Sequence, residues 1–96
     1  MPEIELKVTP FVGCKFLYQC VAKLCEETGE VAQAFYAADV KDPATLTDND
    51  VTCMVYECGD VIQAAINIIW RCGYDLQEVM DVVTEKNMSR GYYNAE

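Results

Sequence analysis

Apolar residues recur at three- and four-residue intervals over three stretches of the chain, the spacing that gives a helix one apolar face. Leu17, Val21, Leu24, Thr28, Val31 and Phe35 mark the first. It is expected to run from shortly after Pro10 to about Ala38, where Asp39 and the turn-rich Lys41-Asp42-Pro43 end it. The second opens at Thr47-Asp48-Asn49-Asp50, with Thr47 capping the end and acids favouring the first turn. It continues to Cys72 and stops at Gly73, a natural C-terminal cap. The third follows Asp75, with Glu78 completing a capping-box-like pattern, and ends before Gly91. No segment alternates as a strand would. The pattern predicts an all-α protein, an antiparallel helical bundle.

The second helix carries apolar side chains around nearly its whole circumference. Met54, Val61, Ile62, Ala65 and Ile69 fill one sector, while Val55, Ile66 and Trp70 lie elsewhere. A helix apolar all round is a buried helix, and two neighbours cannot wrap it. A second copy of the chain is therefore expected to cover the rest. Length points the same way: 96 residues form a single domain, of a size that buries only about 60–65% of its unfolded surface. An apolar share of 52% is high for that size. The expected organisation is one domain over 1–96, with an N-terminal extension at 1–10, a connecting loop at 39–47, and a core completed by oligomerisation.

Sixteen acidic against seven basic side chains give a formal charge of −9. That argues against a nucleic-acid polymer or an anionic membrane as partner, since both attract clustered Lys and Arg. The chain has no histidine, which excludes Ser-His-Asp and Cys-His catalysis, imidazole-ligated zinc and Glu-x-x-His di-iron bundles. Six cysteines (Cys14, Cys20, Cys25, Cys53, Cys58, Cys72) include no Cys-x-x-Cys pair. They read as reduced, small core residues of a cytoplasmic protein. The opening MPEIELKVTP lacks the charged-then-apolar pattern of a signal peptide. The longest apolar run, Val61 to Trp70, is broken by Gln63 and Asn67 and falls far below the roughly 20 residues of a membrane span.

One internal correspondence carries the chemistry. Residues 27–34 read Glu-Thr-Gly-Glu-Val-Ala-Gln-Ala, and residues 57–64, thirty positions later, read Glu-Cys-Gly-Asp-Val-Ile-Gln-Ala. Five positions are identical, and Glu30 against Asp60 keeps the carboxylate. On antiparallel neighbouring helices the two copies bring Glu27, Glu30, Glu57 and Asp60 together about a local pseudo-twofold axis. Residues three apart sit about 60° from each other, one turn apart on the same face. Facing carboxylates repel unless something neutralises them. A hard divalent cation does so, and Mg²⁺ prefers oxygen ligands while keeping waters for a phosphate substrate. Gly29 and Gly59 each cost a helix interior roughly 1 kcal/mol relative to Ala; close approach of the two helices is the expected compensation. An EF-hand at Asp48-Asn49-Asp50 fails for want of the loop glycine and the late bidentate Glu in register.

These residues also resemble a known family. Glu26-Glu27-x-x-Glu30, 26 intervening residues, then Glu57-x-x-Asp60 is similar to the signature of the MazG-like nucleoside triphosphate pyrophosphohydrolases, of the all-α NTP pyrophosphatase superfamily. So are the surrounding Lys23-Leu-Cys-Glu-Glu-Thr-Gly-Glu-Val and the closing Lys86-Asn87-x-x-Arg90-Gly91-Tyr92-Tyr93. The likeness spans roughly residues 15–93. It implies a helical homo-oligomer (dimer or tetramer) that uses Mg²⁺, with Mn²⁺ able to substitute, to split nucleoside triphosphates into monophosphate and pyrophosphate. It implies metal ligation by Glu27, Glu30, Glu57 and Asp60, catalytic roles for Glu26 and Glu27, and substrate contacts from Asn87 and Tyr93 in the closing motif. Glu26 would hold or deprotonate the attacking water. The N-terminal stretch matches no pattern that assigns a base.

The reaction suits the residues independently of the likeness. Phosphoryl chemistry asks a protein mainly for positioning and charge stabilisation, and carboxylate-held metal ions supply the rest without a Ser, Cys or His nucleophile. Lys86 and Arg90, four apart, share a face of the last helix and read either as a clamp for the β- and γ-phosphates or as cations suited to the helix C-terminus. Lys23, one turn before Glu27, either pairs with it or reaches the phosphates. The alternative to an enzyme is a non-catalytic helical oligomer that binds metal or nucleotide as a sensor or interaction module.

Overall fold

The computed structural model describes residues 3–11, 16–37 and 46–94. Three helices account for the regular structure among them: α1 (Leu17–Ala37), α2 (Asp48–Arg71) and α3 (Leu76–Ser89). No strand occurs among the described residues, so the all-α expectation stands.

Local chemistry explains most of the boundaries. Thr47 caps α2 through a reciprocal box: its hydroxyl accepts from the Asp50 N–H at 3.1 Å, and the Asp50 carboxylate accepts from the Thr47 N–H at 3.0 Å. That contact also holds the Asp50 carboxyl below its ordinary range. Asp75 caps α3 by accepting from the Glu78 N–H at 3.0 Å. Both α2 and α3 end in a glycine at positive φ, Gly73 at 82° and Gly91 at 74°. In each case the glycine N–H and the next one turn back onto the helix: Gly73 to Trp70 and Tyr74 to Ile69, Gly91 to Met88 and Tyr92 to Asn87. This is the Schellman arrangement, which a residue with a Cβ adopts only under strain.

The start of α1 departs from expectation. Residues 3–11 are not helical, and α1 begins at Leu17, where the Gln19 side chain accepts from the Phe16 N–H at 3.0 Å. Thr9 and Phe11 are tied to α2 instead. Gln63 Nε2 donates to the Thr9 carbonyl at 3.1 Å and to Asn67 Oδ1 at 2.8 Å, and the Phe11 N–H donates to the same Asn67 oxygen at 3.1 Å. The expected end near Ala38 and most of the 39–47 loop lie outside the described residues, as does Cys14.

α1 and α2 pack as an antiparallel pair. Early α1 (Lys23) shares a cleft with later α2 (Gln63, Ala64), and late α1 (Gln33, Ala34) shares one with Glu57. α3 touches only α2 and buries no residue. The radius of gyration, 16.0 Å, exceeds the roughly 13 Å of a compact domain of about this length.

Among the described residues the buried apolar core is small: Cys20, Ala64 and Ile66. Ile66 is only 6% exposed within the single chain, so the expectation is corrected for that residue: its own chain, not a second copy, covers it. Trp70, at 49% exposed, and Val55 and Ile62 do lie open. The cysteines are corrected as well. Cys20 alone is a core residue among those described, whereas Cys25, Cys53, Cys58 and Cys72 are exposed, because their positions fall outside the α1–α2 seam. No described helix is long and apolar enough to cross a membrane.

Candidate metal centre

The repeat does what its spacing suggests. α1 presents Glu27 and Glu30 one turn apart, α2 presents Glu57 and Asp60 in the same way, and one carboxylate oxygen from each lies within 4.8 Å of the other three. Glu27 is 7% exposed; Glu30 and Glu57 are half-buried and Asp60 is exposed. Gly29 and Gly59 contribute nothing to this approach. A Cβ at either position would meet no atom within 4 Å, and both glycines face solvent. The expected close backbone contact is absent.

The electrostatics pull Glu27 and Glu30 in opposite directions. Lys23 Nζ lies 2.9 Å from Glu27 Oε1 and 3.7 Å from Glu26 Oε1. The hydrogen bond from Lys23 holds the Glu27 carboxyl below its ordinary range, and the same contact raises the Lys23 ammonium. Glu30 moves the other way. Hydrogen bonding to the Glu27 carboxylate, that group's charge, burial, and then Glu57 push its carboxyl up to about 7. The protein therefore relieves the repulsion in part with one tethered cation, Lys23 on Glu27. It does so incompletely: Glu27 Oε2 and Glu57 Oε2 are buried with no hydrogen-bond partner.

That residue set fits a divalent cation. All four donors are carboxylate oxygens, the ligands that Mg²⁺, Ca²⁺ and Mn²⁺ take in preference to nitrogen or sulfur. Buried polar atoms without partners are costly, and the two orphaned oxygens sit at corresponding positions of the repeat. A cation held among the four acids would give such buried oxygens a partner.

Two clefts flank the acids. One, of about 360 Å³, is lined by Phe11, Lys23, Glu27, Glu30, Asp60 and Gln63, with Ala64. The other, of about 400 Å³, is lined by Glu30, Gln33, Ala34 and Glu57. The repeat relates them, pairing Gln33 with Gln63, Ala34 with Ala64 and Glu57 with Glu27. They differ in charge, because position 23 is Lys and its counterpart, position 53, is Cys.

Of the remaining sequence-derived candidates, Lys23 stands in the first cleft and is paired with Glu27. Glu26 lies beside Lys23, its side chain 59% exposed, and is not one of the four converging acids. Lys86, Asn87, Arg90 and Tyr93 are not brought to the cluster. They cluster at the end of α3, which has no contact with α1. There the Asn87 amide donates to the Tyr93 hydroxyl at 3.3 Å, Arg90 lies 5.9 Å from the Tyr92 ring centroid, and the Lys86 carbonyl accepts from the Arg90 N–H. Within one chain, the contacts of these residues lie at the end of α3, away from the four acids.

Two residues lining the first cleft, Phe11 and Gln63, went unread in the sequence, as did Asn67, which hydrogen-bonds to both. A signal existed for two of them. Gln63 and Asn67 are the polar breaks in the run Val61–Trp70, and with Asp60 they form one row at three- and four-residue steps. No family model matches the chain, and comparisons with curated proteins and with solved structures found no significant match.

Proposed function

We propose that the chain is a divalent-cation-dependent nucleoside triphosphate pyrophosphohydrolase, cleaving the α–β phosphate bond of (d)NTPs or related nucleotides to monophosphate and pyrophosphate, as in clearing a nucleotide pool. The observation that carries this reading is the convergence of Glu27, Glu30, Glu57 and Asp60 with two buried, unpartnered carboxylate oxygens. Mg²⁺, or Mn²⁺ in its place, held by these four would supply Lewis-acid polarisation of the phosphate and a more acidic water.

The chain's own residues do the rest. Lys23 offers an ammonium to the polyphosphate in the first cleft, the only one of the two clefts lined by a cation. Glu26 accepts the proton of the attacking water at its carboxylate; its exposure leaves it free to turn toward the cleft. Lys86 and Arg90 would meet the phosphates only from a second copy, in keeping with a homo-oligomeric enzyme. The test is a panel of nucleotides incubated with Mg²⁺, with pyrophosphate and orthophosphate assayed separately. Pyrophosphate without orthophosphate supports the reading.

The absence of α3 cations from the cluster favours a second reading, a metal- or nucleotide-binding module without turnover. Metal binding with no pyrophosphate released from any nucleotide would establish it.

A further inference from the structure

Lys23 occupies a distinctive place. Its ammonium contacts a carboxylate that belongs to the acid cluster, yet the side chain is 43% exposed and lines the cleft in which a phosphate chain would lie. Glu27, by contrast, is buried and has one oxygen on Lys23 and the other on nothing. The repeat makes the asymmetry plain: Glu57 has the same orphaned oxygen, but Cys53 stands where Lys23 would be. The cation is thus an addition to one half of a nearly symmetric site.

We propose that Lys23 is a tethered counter-ion that holds Glu27 while the site is empty of metal and turns into the adjoining cleft, onto the phosphate chain, when a divalent cation takes Glu27. The inference rests on the reading of the four acids as a metal centre. Its physical basis is substitution of charge. A buried carboxylate is stabilised by a positive partner, and either the ammonium or the metal can neutralise Glu27. An ammonium released from Glu27 has no reason to leave the cleft once a polyphosphate lies there, since its long flexible stem keeps it within reach. Metal binding therefore makes the phosphate-binding cation available, and phosphate binding in turn favours the metal. Such coupling is reciprocal by thermodynamic necessity.

The experiment compares the full chain with Lys23→Met, and with Lys23→Gln, which keeps a hydrogen bond to Glu27 should the methionine variant fold poorly. Calorimetric titration with Mg²⁺ should show tighter binding to the variants, by at least about fivefold, the lower end of ordinary coupling between sites. Wild type saturated with Mg²⁺ should bind pyrophosphate at least about fivefold more tightly than metal-free wild type, and the variants should lose most of that gain. The ¹⁵N resonance of the Lys23 ammonium, protected while paired, should broaden when Mg²⁺ is added and sharpen again with pyrophosphate. Persistence of the Lys23–Glu27 pair in the Mg²⁺-saturated protein, or variants that bind Mg²⁺ no more tightly than wild type, would overturn this proposal and leave the metal centre intact. Failure of wild type to take up Mg²⁺ at all would overturn both.

Discussion

Glu27 and Glu57, thirty residues apart in the sequence, each bury one carboxylate oxygen that no hydrogen bond reaches. They occupy the same place in the two copies of the repeat, on α1 and α2, and their other cluster partners, Glu30 and Asp60, follow one turn later. A helix pair under no other demand would turn such acids to solvent. Their inward placement is the strongest sign that the seam holds a ligand of opposite charge.

Glu26 separates binding from turnover. It lies about 100° round the helix from Glu27 and about 40° from Glu30, beside the cluster but outside the converging four. Glu26→Gln should leave metal-induced stabilisation and nucleotide binding nearly unchanged while turnover falls by about 10²–10⁴-fold, the usual worth of a positioned base. Glu27→Gln should weaken metal binding and turnover together. Steady-state kinetics alongside calorimetry reads both. A Glu26→Gln protein that turns over at the wild-type rate would reduce Glu26 to a solvated helix acid.

The proton on Glu30 sets a pH dependence for the metal-free protein. Its carboxyl stands at about 7 in the fold against an ordinary 4.5. Between those values the native state holds a proton that the unfolded chain has released, so stability falls as pH rises through this window. Glu27 is shifted the other way, so its contribution is lost only below the ordinary carboxylate range as pH falls. Thermal melts in EDTA from pH 4.5 to 8 should show Tm declining, and Glu30→Gln should flatten the decline. An equal slope in that variant would show that general charge repulsion, not Glu30, is responsible.

Asn67 fastens the N-terminal segment. Its buried side-chain oxygen accepts from the Phe11 N–H and from Gln63, which also holds the Thr9 carbonyl. Asn67→Leu removes that acceptor and should cost about 1–3 kcal/mol. It should also free residues 3–11, which limited proteolysis would detect as accelerated cleavage before Phe16. Wild-type protease resistance in the variant would mean that the segment is held by other contacts.

How much of this was legible in the sequence depended on the range of the interaction. Thr47 and Asp75 as caps, and Gly73 and Gly91, act within a few residues and could be read from spacing alone, although the reciprocal box forms at Thr47–Asp50 rather than at Asp75–Glu78, where the pattern suggested it. The acid cluster was legible because the chain repeats the motif. The N-terminal segment was not, because its hydrogen bonds join residues 54 and 56 positions apart and Pro10 gave only a local hint of where α1 starts. Apolar content around α2 likewise could not say which neighbour covers which sector: Ile66 is covered by its own chain, Trp70 is not. Gly29 and Gly59 misled for a related reason, since a helical glycine marks close approach only if something is there to approach.

That contrast on α2 gives a prediction about assembly. Ile66→Asp places a charge in the single-chain core and should unfold the protein, because a buried unpaired charge costs several kcal/mol. Trp70→Asp should instead leave the helix content intact and, if the chain self-associates as proposed, weaken that association, since Trp70 lies with Val55 and Ile62 among the exposed apolar residues of α2. Light scattering after gel filtration, with circular dichroism, distinguishes the two. A wild-type monomer at micromolar concentration would contradict the oligomeric reading.

Whether Glu27, Glu30, Glu57 and Asp60 hold a divalent cation is read from thermal unfolding with and without Mg²⁺. A ligand that binds only the native state stabilises it, by about 2.7 kcal/mol at a hundredfold excess over Kd. Wild type should therefore melt several degrees higher in Mg²⁺ or Mn²⁺, and Glu57→Gln should lose nearly all of that increment while remaining folded in EDTA. An increment of the same size in Glu57→Gln, or none in wild type, would contradict the account.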